Sequence, residues 1–344
     1  MPSTNRRQFL AAAGAAGAAG LAGCGALGGG GRPDVNTGSG LDEDTSHALQ
    51  SEQVYLAGDA SDLPDPPNTV DSIDDADAVL ATTDADRVPL VRALRDHKPV
   101  AFDGGDAQSA LRGLLESTRQ NYTFGVEEVR ARPVPVAVAV PGRNGTVDTY
   151  TFVDDGGWDD PVLDAFGWAL VGRVPECDTF VPESSADSMY DYAGSAHVVG
   201  RLDTGEAYVS RTTATVSRQD AGRFVRLRTR LHAEANDGYA IEEGVREADF
   251  PDDQRLHRAW PNPHTENGVQ IANTSNTIRS DFSFEVTPES SRAKSALTGC
   301  GGLRTDGEIA YDHRVSVTWK RDKLLGNDRR YATATGRGEW HLDA

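Results

Sequence analysis

The chain has 344 residues and carries 53 Asp and Glu against 34 Lys and Arg, a formal charge of -19. Nucleic acid is excluded as a general partner, because binding a polyphosphate requires clustered Lys and Arg to displace counterions. Beyond its leader and tether the body is about 290 residues, longer than one typical core, so two domains are expected.

Residues 1–24 carry the most specific signal. Asn5-Arg6-Arg7-Gln8-Phe9-Leu10 opens an Ala/Gly-rich run that closes on Leu21-Ala22-Gly23-Cys24. A charged start, a short apolar stretch and small residues at the cut are the parts of a secretory leader. The run from Phe9 to Ala22 is too short to span a roughly 30 Å hydrocarbon core, which takes about 20 apolar residues. No later segment reaches that length.

These residues resemble a twin-arginine export signal ending in a lipoprotein cleavage box. The resemblance implies that residues 1–23 are a removable signal peptide and that Cys24 carries lipid on its sulfur. The protein would then sit extracytoplasmically, on the outer face of the cell membrane. An ordinary cleavable leader with an incidental cysteine is the alternative. One acyl chain binds only marginally, so a stable anchor implies more than one. Losing Arg6 and Arg7 moves the charge from -19 to -21.

Residues 24–51 are rich in Gly, Asp and Ser and bury too little to offset ordering entropy, so they form a tether. Lysine occurs only at Lys98, Lys294, Lys320 and Lys323, and Asp recurs at Asp59, Asp62, Asp65, Asp71, Asp74, Asp75 and Asp77. This composition resembles that of halophilic proteins, whose self-repulsion is screened at high salt. Cys177 and Cys300 remain after Cys24. Either they bridge, contributing about 4 to 5 kcal/mol by chain entropy, or they are two separate buried thiols.

Residues 52–175 read as an α/β domain. Gln53 to Ala57, Ala78 to Ala81 and Pro99 to Phe102 are short apolar strands. Val88, Leu90, Val91 and Leu94 fall at helical spacing, as do Ala110, Leu111, Leu114 and Leu115 in a helix over 106–118. Val134 to Val140 and Thr149 to Val153 are further strands, and Asp160 to Trp168 is a closing helix. The rhythm predicts a partly parallel sheet covered on both faces, resembling a Rossmann-like or flavodoxin-like domain in rhythm alone.

Residues 176–344 change to period two. Val225, Leu227, Thr229 and Leu231 alternate with Arg226, Arg228, Arg230 and His232, and Tyr311 to Lys320 alternates in the same way. This predicts an antiparallel β-sandwich-like domain, so that the fold class expected is α+β. Asp249 to Asn267, rich in Pro, Asp and His, reads as an excursion loop.

The ends of the predicted parallel strands would gather Gly58, Asp59, Thr82, Thr83, Asp84, Asp103, Gly104 and Gly105 at one rim, where open α/β sheets bind ligands. Asp59, Asp84 and Asp103 are the candidate catalytic carboxylates; helix capping and turn formation are the plainer account of such residues. No phosphate-cradling Gly-x-x-x-x-Gly-Lys-Ser/Thr or Gly-x-Gly-x-x-Gly motif occurs, so no cofactor is expected. No zinc spacing occurs either. The acidic run Asp154, Asp155, Asp159, Asp160 lacks the calcium-loop pattern, so no metal site is assigned. Ser195 and His197 are close in sequence without a nucleophile elbow.

Arg226, Arg228 and Arg230 could hold an anionic polymer or envelope component by charge-assisted hydrogen bonds. Cross-strand pairing with carboxylates is the plainer use of such a face. The sequence therefore reads as a lipid-anchored binding or interaction protein of the envelope, leaning away from catalysis. The alternative is a surface hydrolase using the carboxylate rim.

Overall fold

The computed structural model describes residues 49–59, 63, 64, 66, 68–142, 145–157, 161–171, 190–217, 224–235, 238–251, 256–261, 277–283, 294–304, 307–324 and 326–342. Arg6, Arg7, Cys24 and Cys177 lie outside these residues. No described helix is long and apolar enough to cross a membrane.

The first strands are β1 (Val54–Ala57), β2 (Thr69–Val70), β3 (Ala78–Thr82) and β4 (Val100–Asp103). β1 pairs in parallel with β2 and β3, and β3 with β4. Helix α1 (Arg87–Arg95) runs between β3 and β4, and α2 (Ala107–Glu116) follows β4. Asp86 caps α1 by accepting from the Val88 amide, and Arg92 and Arg95 face the negative end of its dipole. Leu90, Leu94, Leu111, Leu114 and Leu115 cover Val79, Ala81, Val100 and Phe102, and burying each such side chain contributes about 1.5–3 kcal/mol. Val88, expected in the same apolar stripe as Leu90, Val91 and Leu94, is instead 76 % exposed.

The sheet continues through β5 (Thr123–Arg130), β6 (Val136–Pro141) and β7 (Thr146–Asp155). β6 is antiparallel to both β4 and β7. Helix α3 (Pro161–Val171) packs Ala165, Phe166 and Ala169 on the opposite face, against Leu80, Ala101, Val138 and Phe152.

The remaining strands are β8 (Tyr190–Leu202), β9 (Ala207–Ser217), β10 (Phe224–Glu234), β11 (Ala240–Asp249), β12 (Leu256–Pro261), β13 (Thr277–Ser283), β14 (Lys294–Arg304), β15 (Glu308–Lys323) and β16 (Gly326–His341). They are not a separate unit. β7 offers its second edge first to β5, at Thr146 and Val147, and then to β8 from Thr149 onward, both in parallel. At this fork Gly194 adopts φ +121° beside a bulge, and a Cβ there would stand 2.9 Å from the Val147 carbonyl oxygen. Only glycine fits.

From the fork one branch runs β8-β9-β10-β14-β12 and the other β5-β16-β15-β11-β13, all within a single 16-stranded mixed sheet. Val198, Tyr208 and Leu231 of the first branch pack with Val129, Ile241, Val315 and Trp319 of the second. The expected α+β class is thereby overturned: there is no Rossmann-like or flavodoxin-like domain followed by a β-sandwich-like one, but one predominantly β sheet. Strands β5, β6 and β7 follow one another without a helix, and the parallel β7–β8 ladder, with α3 between the two strands in sequence, carries the hydrogen bonding into the β-rich half. The expected excursion loop contains β12, paired with β14.

Candidate anion-binding face

β10 positions the arginines by simple alternation. Val225, Leu227, Thr229 and Leu231 are buried, and Leu227 and Leu231 join the cores shared by the two branches. Arg226, Arg228 and Arg230 hold the intervening positions, on the other face of the sheet. Antiparallel pairing sets Arg226 opposite Thr215, Arg228 opposite Thr213 and Arg230 opposite Arg211 of β9. β9 in turn sets Arg211 opposite His197 and Thr213 opposite Ser195. His197 then lies beside Tyr150 of β7. Four strands thus lay out the row Arg230, Arg211, His197, Tyr150.

Aromatic packing orders the β7 end of that row. The His197 ring stacks on Tyr150, with centroids 4.3 Å apart and planes 7° from parallel. Its Nδ1 is 3.0 Å from the Thr149 carbonyl oxygen, which the ring N–H meets as donor. Trp168 of α3 meets Tyr150 edge-on.

The adjacent row supplies counterbalance. The Ser195 amide and hydroxyl both donate to Asp148 Oδ1, at 2.7 and 2.9 Å. The Tyr192 hydroxyl donates to the same oxygen and lies 3.0 Å from Ser195 Oγ. Burial, then the Asp148 charge, push the Tyr192 phenol well above its ordinary range, against the pull of Arg211. Burial works against the charge on Arg211, yet Tyr192, Asp148 and Tyr150 outweigh it and raise its pKa. Arg211 is therefore a permanent cation. Among the described residues of these two rows Asp148 is the one carboxylate, while Arg211, Arg228 and Arg230 place three arginine positions on the same face. On this face Tyr150, Ser195, His197, Thr213 and Thr215 are buried, and Arg226, Arg228 and Arg230 take the β10 register positions on the same side of the sheet.

Ser195 and His197 therefore share a face. Ser195, however, is engaged by Asp148 and His197 by Thr149 and Tyr150.

The rim carboxylates lie at the ends of β1, β3 and β4, which are adjacent and parallel, so Asp59, Asp84 and Asp103 follow neighbouring strand ends. Gly58 and Gly104 turn the chain there with φ of +101° and +119°. Asp84 accepts from Thr82 Oγ1 at 2.6 Å. Neither Asp84 nor Asp103 caps a helix: Asp86 and Asp106 occupy those positions. Among the described residues no group of three or more His, Cys, Asp or Glu converges to hold a metal. Asp155 is paired with Arg132 at 3.0 Å, and Asp154 accepts from the Gly156 amide. Cys300 lies on β14 opposite Arg228 and Trp260.

A buried ionic cluster that no motif announces lies where the branches meet. Glu127 of β5 accepts from Arg246 of β11, from Thr212 of β9 at 2.7 Å and from Tyr311 of β15 at 2.8 Å. Trp340 Nε1 donates to the Tyr311 hydroxyl at 3.2 Å. Burial opposes the Glu127 charge, but Arg246, then His313, Thr212 and Tyr311, prevail and lower its pKa. The one local signal is Glu127 at an inward position between Gly125 and Val129.

No protein-family model matches the chain, and no curated protein does. Among solved structures, the delta-toxin of Clostridium perfringens aligns at 5 % identity and a TM-score of 0.26, over 45 % of this chain and 94 % of that one. That score is too low to indicate a common fold, and nothing is carried over from it.

Proposed function

We propose that this is a lipid-anchored, extracytoplasmic protein of the cell envelope that binds an anionic polymer or envelope component without catalysis. The observation that supports binding is the row of Arg230, Arg211 and His197 across three adjacent strands, with Arg226 and Arg228 on the same face.

The anchoring half rests on Arg6, Arg7 and Cys24. Replacing Cys24 by Ser should release the protein into the medium; continued retention on the membrane contradicts the anchor. Changing Arg226, Arg228 and Arg230 together to Ser should abolish co-purification of anionic envelope material with the anchored protein. Unchanged co-purification contradicts the binding face.

The hydrolase alternative draws on the adjacency of Asp59, Asp84 and Asp103 at parallel strand ends. It requires turnover that disappears when Asp84 and Asp103 become Asn.

A further inference from the structure

The tripeptide Asn-x-Ser/Thr, with x other than Pro, occurs at three places in the chain: Asn121-Tyr122-Thr123, Asn144-Gly145-Thr146 and Asn273-Thr274-Ser275. In an exported chain this is the acceptor pattern for an N-linked glycan, a bulky and hydrophilic group carried on surface turns. Asn144 and residues 273–275 lie outside the described residues. Asn121 ends the turn that joins α2 to β5, where its amide donates to the Thr118 carbonyl at 2.8 Å. Arg119, Gln120 and Asn121 are all exposed. The side-chain amide of Asn121 makes no hydrogen bond among the described residues, whereas that of Asn68 donates to the Gln50 carbonyl.

The neighbours of Asn121 fix the turn and leave its side chain clear. Tyr122 is buried, its hydroxyl donating to the Leu94 carbonyl at 3.0 Å. Thr123 opens β5, half-buried, and its Oγ1 donates to the Ala193 carbonyl at 2.9 Å. The second tripeptide shares this corner: Thr123 pairs with Thr146, its amide donates to the Gly145 carbonyl at 2.8 Å, and a Cβ on Gly145 would stand 3.0 Å from the Asn121 carbonyl oxygen. Thr146 is buried, which closes its hydroxyl to an enzyme. Thr123 instead sits at a strand end, where local opening is easiest. The corner is also clear of the carboxylate rim. β4 and β5 point the same way, through β6 and β7, so Asn121 before β5 lies at the opposite end of the sheet from Asp103 at the end of β4.

We propose that Asn121 is a glycosylation site, to which a separate membrane transferase passes an oligosaccharide from a lipid-phosphate donor. The Asn121 Nδ2 forms a bond to the anomeric carbon as the bond from that carbon to the phosphate oxygen breaks. The lipid phosphate leaves with the electron pair, and the amide gives up one proton. The glycan then projects into solvent and displaces no hydrogen bond of the Asn121 side chain. The proposal rests on the extracytoplasmic reading, because acceptor and transferase must meet outside the cytoplasm.

The test expresses two forms of the chain in a halophilic host whose surface proteins carry N-linked glycans. One form keeps its own leader, and in the other a general secretory leader replaces residues 1–24. Each purified protein is read by intact mass and by mass spectrometry of the peptide that holds Asn121. The expected result is a sugar mass on that peptide in both forms. It should be lost in Asn121→Gln and in Thr123→Val, and kept in Thr123→Ser, which retains the hydroxyl. An unmodified Asn121 peptide in the secretory-leader form overturns the proposal, and so does a glycan confined to Asn144. Modification in the secretory-leader form alone supports the site and counts against the export signal, so the two can fail independently. Circular dichroism of each variant checks that the fold is kept.

Discussion

Glu127 and Arg246 form an ion pair with side chains 0 % and 1 % exposed, inside the seam between the two branches of the sheet. Both belong to the β5-β16-β15-β11 branch, and Thr212 of the other branch hydrogen-bonds to each. A charge pair this deep holds its place only because each partner cancels the desolvation cost of the other.

Breaking it should therefore be severe. Glu127→Gln leaves Arg246 uncompensated and is expected to cost about 3–5 kcal/mol. Glu127→Gln with Arg246→Met should cost less than the sum of the single changes. Denaturant unfolding at constant salt measures both.

Stability should fall with acid in two stages. His313 hydrogen-bonds to the Glu128 carbonyl, and burial, opposed by Glu127, lowers its pKa below 6.5. The unfolded chain then takes up that proton first, so stability drops as the pH falls from about 6.5 through the lower folded value. Glu127 is also lowered in the folded state, from 4.5, so its contribution is present above that pH and is lost as the pH falls further. His313→Asn should remove the upper stage and leave the lower one in a pH series of unfolding midpoints.

Gly338 lies between Glu127 and Tyr311 in the register of β5, β16 and β15. A Cβ there would stand 2.2 Å from the Tyr311 ring, so the glycine lets Tyr311 lie across β16 to reach Glu127. Gly338→Ala should cost about 1–3 kcal/mol through overpacking. A change in near-ultraviolet dichroism should accompany it, because Trp340 is hydrogen-bonded to Tyr311.

At the rim, Asp86→Ala should lower stability by about 0.5–2 kcal/mol by removing the α1 cap. Asp84→Asn should leave α1 intact, since Asp84 accepts from Thr82 and caps nothing. Thermal unfolding of the two variants separates a capping aspartate from a rim aspartate.

Local pattern made some of this legible. The helices α1 and α2 follow from the spacing of Leu90 and Leu94 and of Leu111 and Leu115, and β10 from its alternation. The arginines on alternate positions of β10 were visible for the same reason. Their match to Arg211 and His197 was not, because register depends on strands that meet only after folding. The architecture failed at β7, whose parallel pairing with β8 has no local signature. β5 was missed because Glu127 and Glu128 break its apolar pattern, and the partners that make Glu127 tolerable, Thr212, Arg246 and Tyr311, lie far along the chain.

Titration calorimetry with dextran sulfate, against neutral dextran and across a salt series, tests the binding face most directly. The account predicts heat of binding with the sulfated polymer only, and its loss when Arg226, Arg228 and Arg230 are changed to Ser. Equal binding by the parent and the triple variant, or none by the parent at any salt concentration, would contradict it.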